Sequence, residues 1–386
     1  MFRPLTWILL VVACIMIALL LWDGKPAAGG FFVPPSKPSI ETEKTFYKEE
    51  IINPSQHLPM VHVASLVDCG DGILTACWYG GSAECAPDVQ IYSAMRGAPQ
   101  AAWSQSYSVM TREQAQRDLM RPVKSLGNVV LLYGPHNTLR LLFVTIAMGK
   151  WSGSQLNLCT LFKPDGLHSP AKRLTISPFF NFSELVRNRP VETVDGGWCV
   201  PVYQEFLGKF PELLWFREVR GKIAYQKTRI AGGCTSFQPS LIPLDTNHAI
   251  ALMRDFTDMR RIFLSRTDDG GLSWTKPMPT DLPNPDAGIS GLRLSDGNLL
   301  VAYNDSTIDR SNLSLALSHD GGLSWKRIAV LEKEPNASFS YPFLLKTADG
   351  LIQMAYTYKG QQIKMASFNE SWIREQELVA GKGSTP

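Results

Sequence analysis

Two octets, "TDDGGLSW" from Thr267 to Trp274 and "SHDGGLSW" from Ser318 to Trp325, are near twins, and each holds an aspartate at its third position, Asp269 and Asp320. Paired carboxylates are common equipment for general acid and base chemistry. In each octet, however, the aspartate sits between a hydroxyl residue and two glycines, a composition that favours a tight turn whose carboxylate accepts local backbone N–H groups. The closing tryptophan brings a large apolar face that anchors such a turn between strands. Each octet follows an apolar run, "RIFLSR" in one case and "LSLALS" in the other. The two turns therefore occupy equivalent places one repeat apart and point away from any common centre. Asp269 and Asp320 are expected to be structural clasps, with the chemistry elsewhere.

The elements that must position a site follow a second pattern. A short apolar run, a turn usually marked Asp-Gly or Asn and an alternating apolar run recur as "SLVDCGDGILTACWYG", "VVLLYGPHNTLRLLFVTI", "RPVETVDGGWCVPVY", "PSLIPLDTNHAIALMRD", "SGLRLSDGNLLVAYND" and "PFLLKTADGLIQMAYTY". Each reads as a β-hairpin, and the copies lie roughly 50 to 65 residues apart, the length of a four-stranded propeller blade. No stretch after Trp22 shows a long helical period, which disfavours a layered α/β fold. The expected architecture is all-β, a six-bladed β-propeller over residues 45–386. Inner strands line the channel of such a ring, so site residues should come from several blades. An open ring would expose two edges; "TFYKEEII", Thr45–Ile52, is expected to close it as the outer strand of the last blade.

Ahead of this unit, Arg3 precedes an uncharged apolar run from Leu5 to Trp22, with Trp7 and Trp22 near its ends. The run exceeds the apolar core of an ordinary signal peptide and is just long enough to span a bilayer. Residues 1–30 are read as an uncleaved anchor, with a cleaved signal ending near "AAGG" as the alternative, and residues 31–44 as a linker. Either reading takes the propeller out of the cytoplasm, anchored or secreted. There the six cysteines beyond Cys14 are free to form disulfides, a local bridge among Cys69, Cys77 and Cys85 being the simplest case. The cysteine spacing does not suit structural zinc, and no cofactor is implied. A net charge of +3 without a Lys/Arg block excludes nucleic acid as the expected partner.

The octets resemble the Asp-box of the sialidase superfamily, whose domains are six-bladed propellers, with worn remnants in "SAMRGAPQAAWSQ" and "TLFKPDGLHSP". The resemblance extends across much of the chain and is nearest to the sialidase-like proteins with BNR repeats. It implies an exo-acting glycosidase that grips the carboxylate of a terminal acidic sugar with arginines, attacks with a tyrosine activated by a glutamate, and protonates the leaving oxygen with an aspartate. Arg254 in "IALMRDF" and Arg310 in "DRSNLSLALS" match two of the arginines, and Tyr341 in "FSYPFLL" matches the nucleophile. A guanidinium binds a carboxylate in a bidentate manner that lysine reproduces poorly. The phenol, with an ordinary pKa of about 10, needs a neighbouring base or positive charge.

Two positions depart from the family pattern. Gln238 in "SFQPSL" stands where the activating glutamate belongs, and His62 in "MVHVASLV" stands where the first arginine belongs. A carboxamide cannot take the proton, and Glu205 in "VPVYQEF" is the candidate substitute. The acid/base segment "WYGGSAECAPDVQIY" holds Glu84 and, second, Asp88; Trp151 is a candidate for stacking on a sugar, and Arg121, Arg187 and Arg189 for adding positive charge. The altered clamp points away from ordinary sialic acid and toward another acidic sugar of a glycan or surface polysaccharide. A non-catalytic glycan-binding propeller and an envelope interaction scaffold are the alternatives.

Overall fold

In the computed structural model the chain is described at residues 3–22, 31–34, 44–97, 101–134, 137–162, 167–176, 181–219, 222–230, 232–233 and 235–382. Six antiparallel sheets follow one another along it. Blade one is built from Met60–Asp68, Leu74–Gly81, Gln90–Arg96 and Tyr107–Met110. Blade two has Ser125–Gly134, Thr138–Ile146 and Ser154–Phe162, edged by the short Leu167–His168 and Lys172–Arg173. In blade three the inner strand is interrupted, Leu185–Val186 then Val191–Glu192, and is followed by Trp198–Gln204, Phe210–Val219 and Lys222–Arg229. Blade four comprises Ser236–Pro243, Ala249–Asp255, Arg261–Thr267 and Met278–Pro283. Blade five comprises Ser290–Arg293, Leu299–Tyr303, Asn312–Ser318 and Lys326–Lys333.

Blade six takes Phe339–Lys346, Ile352–Tyr358 and Gln362–Phe368 from the end of the chain and its outer strand, Tyr47–Ile51, from the beginning. That strand pairs antiparallel from Tyr47 opposite Phe368 to Ile51 opposite Lys364, the closure expected for Thr45–Ile52. The inner strand of blade six also packs on that of blade one, so the ring closes. Strands such as Leu74–Gly81 and Ser236–Pro243 are buried along their whole length, because both faces of a blade are covered by its neighbours.

Three expectations change. Two helices accompany the strands after Trp22: Arg112–Leu119, started by a capping box between Thr111 and Gln114, and Glu370–Lys382. The second buries Trp372 and Ile373, and Trp372 stacks on Tyr47 at 4.6 Å; its apolar face is too narrow to show as a long period. Cys69, Cys77, Cys85, Cys159 and Cys199 are all free thiols, so the local bridge is absent; Cys234 lies outside the described residues. The linker is tied down at its start: Phe32 is 0% exposed in the core between blades three and four. Its neighbours are pinned by Phe31 N–H to Gly270 O and Val33 N–H to Glu192 O. Burial of the ring, about 1.5–3 kcal/mol, acts with these backbone bonds against an ordering entropy of about 1–2 kcal/mol per residue.

The N-terminal segment forms a helix, Arg3–Trp22, whose described side chains from Trp7 to Met16 are exposed. Among the described residues no helix is long and apolar enough to cross a membrane, so the expected anchor finds no support there. The cleavage site of the alternative reading lies outside the described residues.

Candidate active site

Each inner strand starts at the upper end of the channel and descends, and in blades one, two, four and six the ladder is broken near its start. Register shifts fall between His62 and Ser65, Gly127 and Val129, Phe237 and Ser240, and Ser340 and Phe343. A bulge bends the strand and re-aims a side chain. Val63, Gln238 and Tyr341 sit at equivalent points of these bulges with φ of 53, 52 and 56°, in the left-handed region that costs a non-glycine residue about 1–2 kcal/mol. In two of them proline follows, Pro239 and Pro342; lacking an N–H, it belongs at a break in a ladder. The blades thus direct side chains at the upper mouth at the expense of local strain.

Around Tyr341 the structure gathers three arginines. Arg310, from the loop before Asn312, lies with Cζ 5.3 Å from the Tyr341 ring centroid, and Arg187, from blade three, at 5.4 Å. Arg254, at the end of the second strand of blade four, is 8% exposed. Its Nε donates to Asp286 Oδ1 at 2.5 Å, while Arg310 Nη2 donates to the Asp286 carbonyl at 2.9 Å. One residue therefore orients both guanidiniums. Asp255, next to Arg254 in sequence, accepts instead from Thr257 N–H and the Ser236 hydroxyl. Burial pushes the Tyr341 phenol up, but the charges of Arg310 and Arg254 and a hydrogen bond from Arg310 outweigh it and hold the group below its ordinary value, against a smaller opposing effect of Glu84. A desolvated phenol in an excess of positive charge is poised to ionise or to stabilise a cation.

Gln238 links the clamp to the channel wall. Its Oε1 accepts from Arg254 Nη1 at 3.2 Å and its Nε2 donates to the Tyr203 hydroxyl at 3.1 Å. Among the described residues, no hydrogen bond joins the Tyr341 phenol to a carboxylate. Glu205 lies at the mouth, its backbone N–H bonded to the Ser183 hydroxyl. Burial raises its pKa, Lys209 and Arg254 oppose this, and Asp286 and Glu84 reinforce it. His62 meets Tyr341 edge-on with ring centroids 5.6 Å apart. Burial and the charge of Arg310 lower its pKa to about 4, so at neutral pH His62 adds no cation to the clamp.

Across the mouth, Glu84 is exposed and accepts from Trp151 Nε1 at 3.1 Å. The Trp151 ring covers Gly127, where a Cβ would lie 2.5 Å from it, and meets Tyr79 at 6.3 Å; it packs on blades one and two beside the mouth. Asp88 is held away from the centre as a loop clasp, accepting from Ser82 N–H at 2.9 Å and the Ser82 hydroxyl at 2.8 Å. Arg121 is exposed beside the blade-two edge. Arg189 lies at the far end of the channel, in the wall of a cavity of about 640 Å³ shared with Arg293 and Lys346. Asp286 went unrecognised in the sequence, although "NPDAG" is a turn signal, made by Asn284 and Ala287 bonding to each other.

The octets are turn clasps at the lower end. Asp269 accepts from Thr267 Oγ1, Ser273 N–H and the Ser273 hydroxyl, and Asp320 repeats the pattern with Ser318, Leu323 and Ser324. Trp274 and Trp325 are buried behind them.

Residues 72–354 match a family model for the BNR repeat-like domain, and the chain belongs to that family. Among solved structures, the NanB sialidase of Streptococcus pneumoniae shares 10% identity at a TM-score of 0.65, covering 82% of this chain and 69% of its own. The Hadza microbial sialidase Hz136 shares 16% at 0.66, covering 81% and 66%. A Dyadobacter fermentans protein of unknown function shares 11% at 0.64, covering 84% and 99%. At these identities the likeness is one of fold, the sialidase-type six-bladed propeller. No curated protein matches the chain in sequence.

Proposed function

We propose that the chain is an exo-acting glycoside hydrolase of the sialidase-like type, releasing an acidic sugar from the end of a glycan or surface polysaccharide outside the cytoplasm. The observation that supports this is the joint hold of Asp286 on Arg254 and Arg310 beside an acidified Tyr341. The sugar carboxylate binds the two guanidiniums. The Tyr341 oxygen, ionised under their charge, bonds to the anomeric carbon as the glycosidic C–O bond breaks and Glu84 gives its proton to the leaving oxygen. Water then attacks the same carbon, returning a proton to Glu84 and the electron pair to Tyr341. Positive charge takes over the work of the glutamate replaced by Gln238. With His62 neutral, the clamp has two arginines at the sugar rather than three, which suits an acidic sugar other than ordinary sialic acid, such as a uronic acid.

One observation favours a second reading, a glycan-binding propeller: among the described residues no carboxylate is hydrogen-bonded to the Tyr341 phenol to take its proton. Release of free acidic sugar from a panel of acidic glycans separates the two. Hydrolysis by the wild type with a loss of at least ~100-fold in Tyr341→Phe is expected. Binding without release, unchanged in Tyr341→Phe, would establish the binding reading instead.

A further inference from the structure

Arg187 and Asn188 stand in the break of the blade-three inner strand, both buried, and reach into three other blades. Arg187 Nη1 donates to the Ile289 carbonyl at 2.5 Å and to Asn188 Oδ1 at 2.5 Å, and its Nη2 donates to the Pro342 carbonyl at 2.7 Å. Asn188 Nδ2 donates to the Gln238 and Pro239 carbonyls, each at 2.9 Å. The carbonyls served are those of the two proline-marked bulges and of the residue just before the inner strand of blade five. Gly288 makes room for this: a Cβ there would fall 2.9 Å from Arg187 Cζ and 2.9 Å from Tyr341 Cδ1. Among the described residues the hydrogen-bond acceptors of the guanidinium are amide oxygens and none is a carboxylate, and its charge faces the Tyr341 ring at 5.4 Å. Burial pushes Arg187 down to about 9, which leaves it charged at neutral pH.

We infer that Arg187 is a positioning residue for Tyr341: it ties down the Pro342 carbonyl that holds the bulge and supplies, from blade three, the cation that His62 does not supply from blade one. The inference rests on the reading of Tyr341 as the reactive group. Arg187 is buried and does not touch substrate; its Nη1 and Nη2 donate to amide oxygens inside the channel, while its buried Nε has no partner among the described residues. Tyr341 is faced by Arg310, Arg254 and Arg187, by Glu84 above, and by His62, Tyr79 and Tyr203 in the wall. The arginines favour the phenolate, Glu84 opposes it, and burial keeps the two wall tyrosines protonated.

The test uses the full-length protein labelled with ζ-carbon-13 tyrosine, the Tyr341 signal being the one absent from Tyr341→Phe. In Arg187→Met the Tyr341 signal should titrate at higher pH, with about tenfold less phenolate at a fixed pH, one unit of pKa. A folded Arg187→Met protein with the wild-type midpoint and line shape would overturn the inference. If that variant does not fold, Arg187→Lys decides: the charge stays but one ammonium cannot serve both carbonyls as the planar fork does. The Tyr341 signal should then split or broaden with its midpoint nearly kept, and a sharp wild-type signal would overturn the inference. The titration needs no substrate. Failure to hydrolyse any acidic glycan would therefore sink the enzyme reading while leaving this result standing.

Discussion

Tyr341 departs from an ordinary buried tyrosine in the sign of its shift. Burial moves Tyr79 and Tyr203 upward as expected for a desolvated phenol, whereas Tyr341, in the same wall, is held below its usual value by Arg310 and Arg254. Removing either arginine's charge should reverse this: Arg254→Gln or Arg310→Gln is expected to raise the pH at which Tyr341 ionises and to weaken binding of an acidic sugar about 10-fold or more, read by phenol titration and by calorimetry with a uronic acid. His62 gives a separate pH signature. Its folded pKa of about 4 lies below the unfolded 6.5, so the unfolded chain binds the proton first. The stability from keeping His62 neutral is full above about pH 6.5 and is lost as the pH falls toward 4, on the order of 1–3 kcal/mol. Urea unfolding at pH 7 and pH 4.5 should show this loss in the wild type and a smaller one in His62→Asn.

At the scale of the element, two recurrent devices divide the labour. Bulges at the upper end of the inner strands aim side chains, and octets at the lower end fasten the outer turns. The octet carboxylates are saturated by hydroxyl and N–H donors of their own turn, which lowers the pKa of Asp320 despite full exposure. Asp269→Ala with Asp320→Ala should therefore lower the melting temperature and leave ligand binding or turnover unchanged; loss of activity in a folded double variant would restore a catalytic role. Trp274, 6% exposed behind its octet, is expected to cost about 3–5 kcal/mol when cut to alanine, measured by equilibrium unfolding. The twin octets were legible because identical turns need identical residues. The bulges left only the Gln-Pro and Tyr-Pro pairs as a trace.

Taken as a whole molecule, the ring is closed by chain ends distant in sequence. Tyr47–Ile51 completes blade six, and Glu49 pairs with Lys364 at 2.7 Å. A chain beginning at Asn53 should lose this strand, expose the edge of Gln362–Phe368 and melt roughly 10 °C lower or aggregate; unchanged melting would show that the closure contributes nothing. Phe32 is fastened at the lower face, opposite the site.

By itself the sequence determined the blade count, the closing strand and the clasp role of the octets, because hairpin alternation and turn chemistry are local and repeat; Arg254, Arg310 and Tyr341 became candidates only through the resemblance of their segments to the sialidase-like family. Tertiary structure decided which charges meet. Asp286 on Arg254, Arg187 beside Tyr341 and Arg189 at the opposite end of the channel all depend on how segments many residues apart come together in the ring. A side chain's distance across a channel is set by the closure of the ring, which no local pattern encodes.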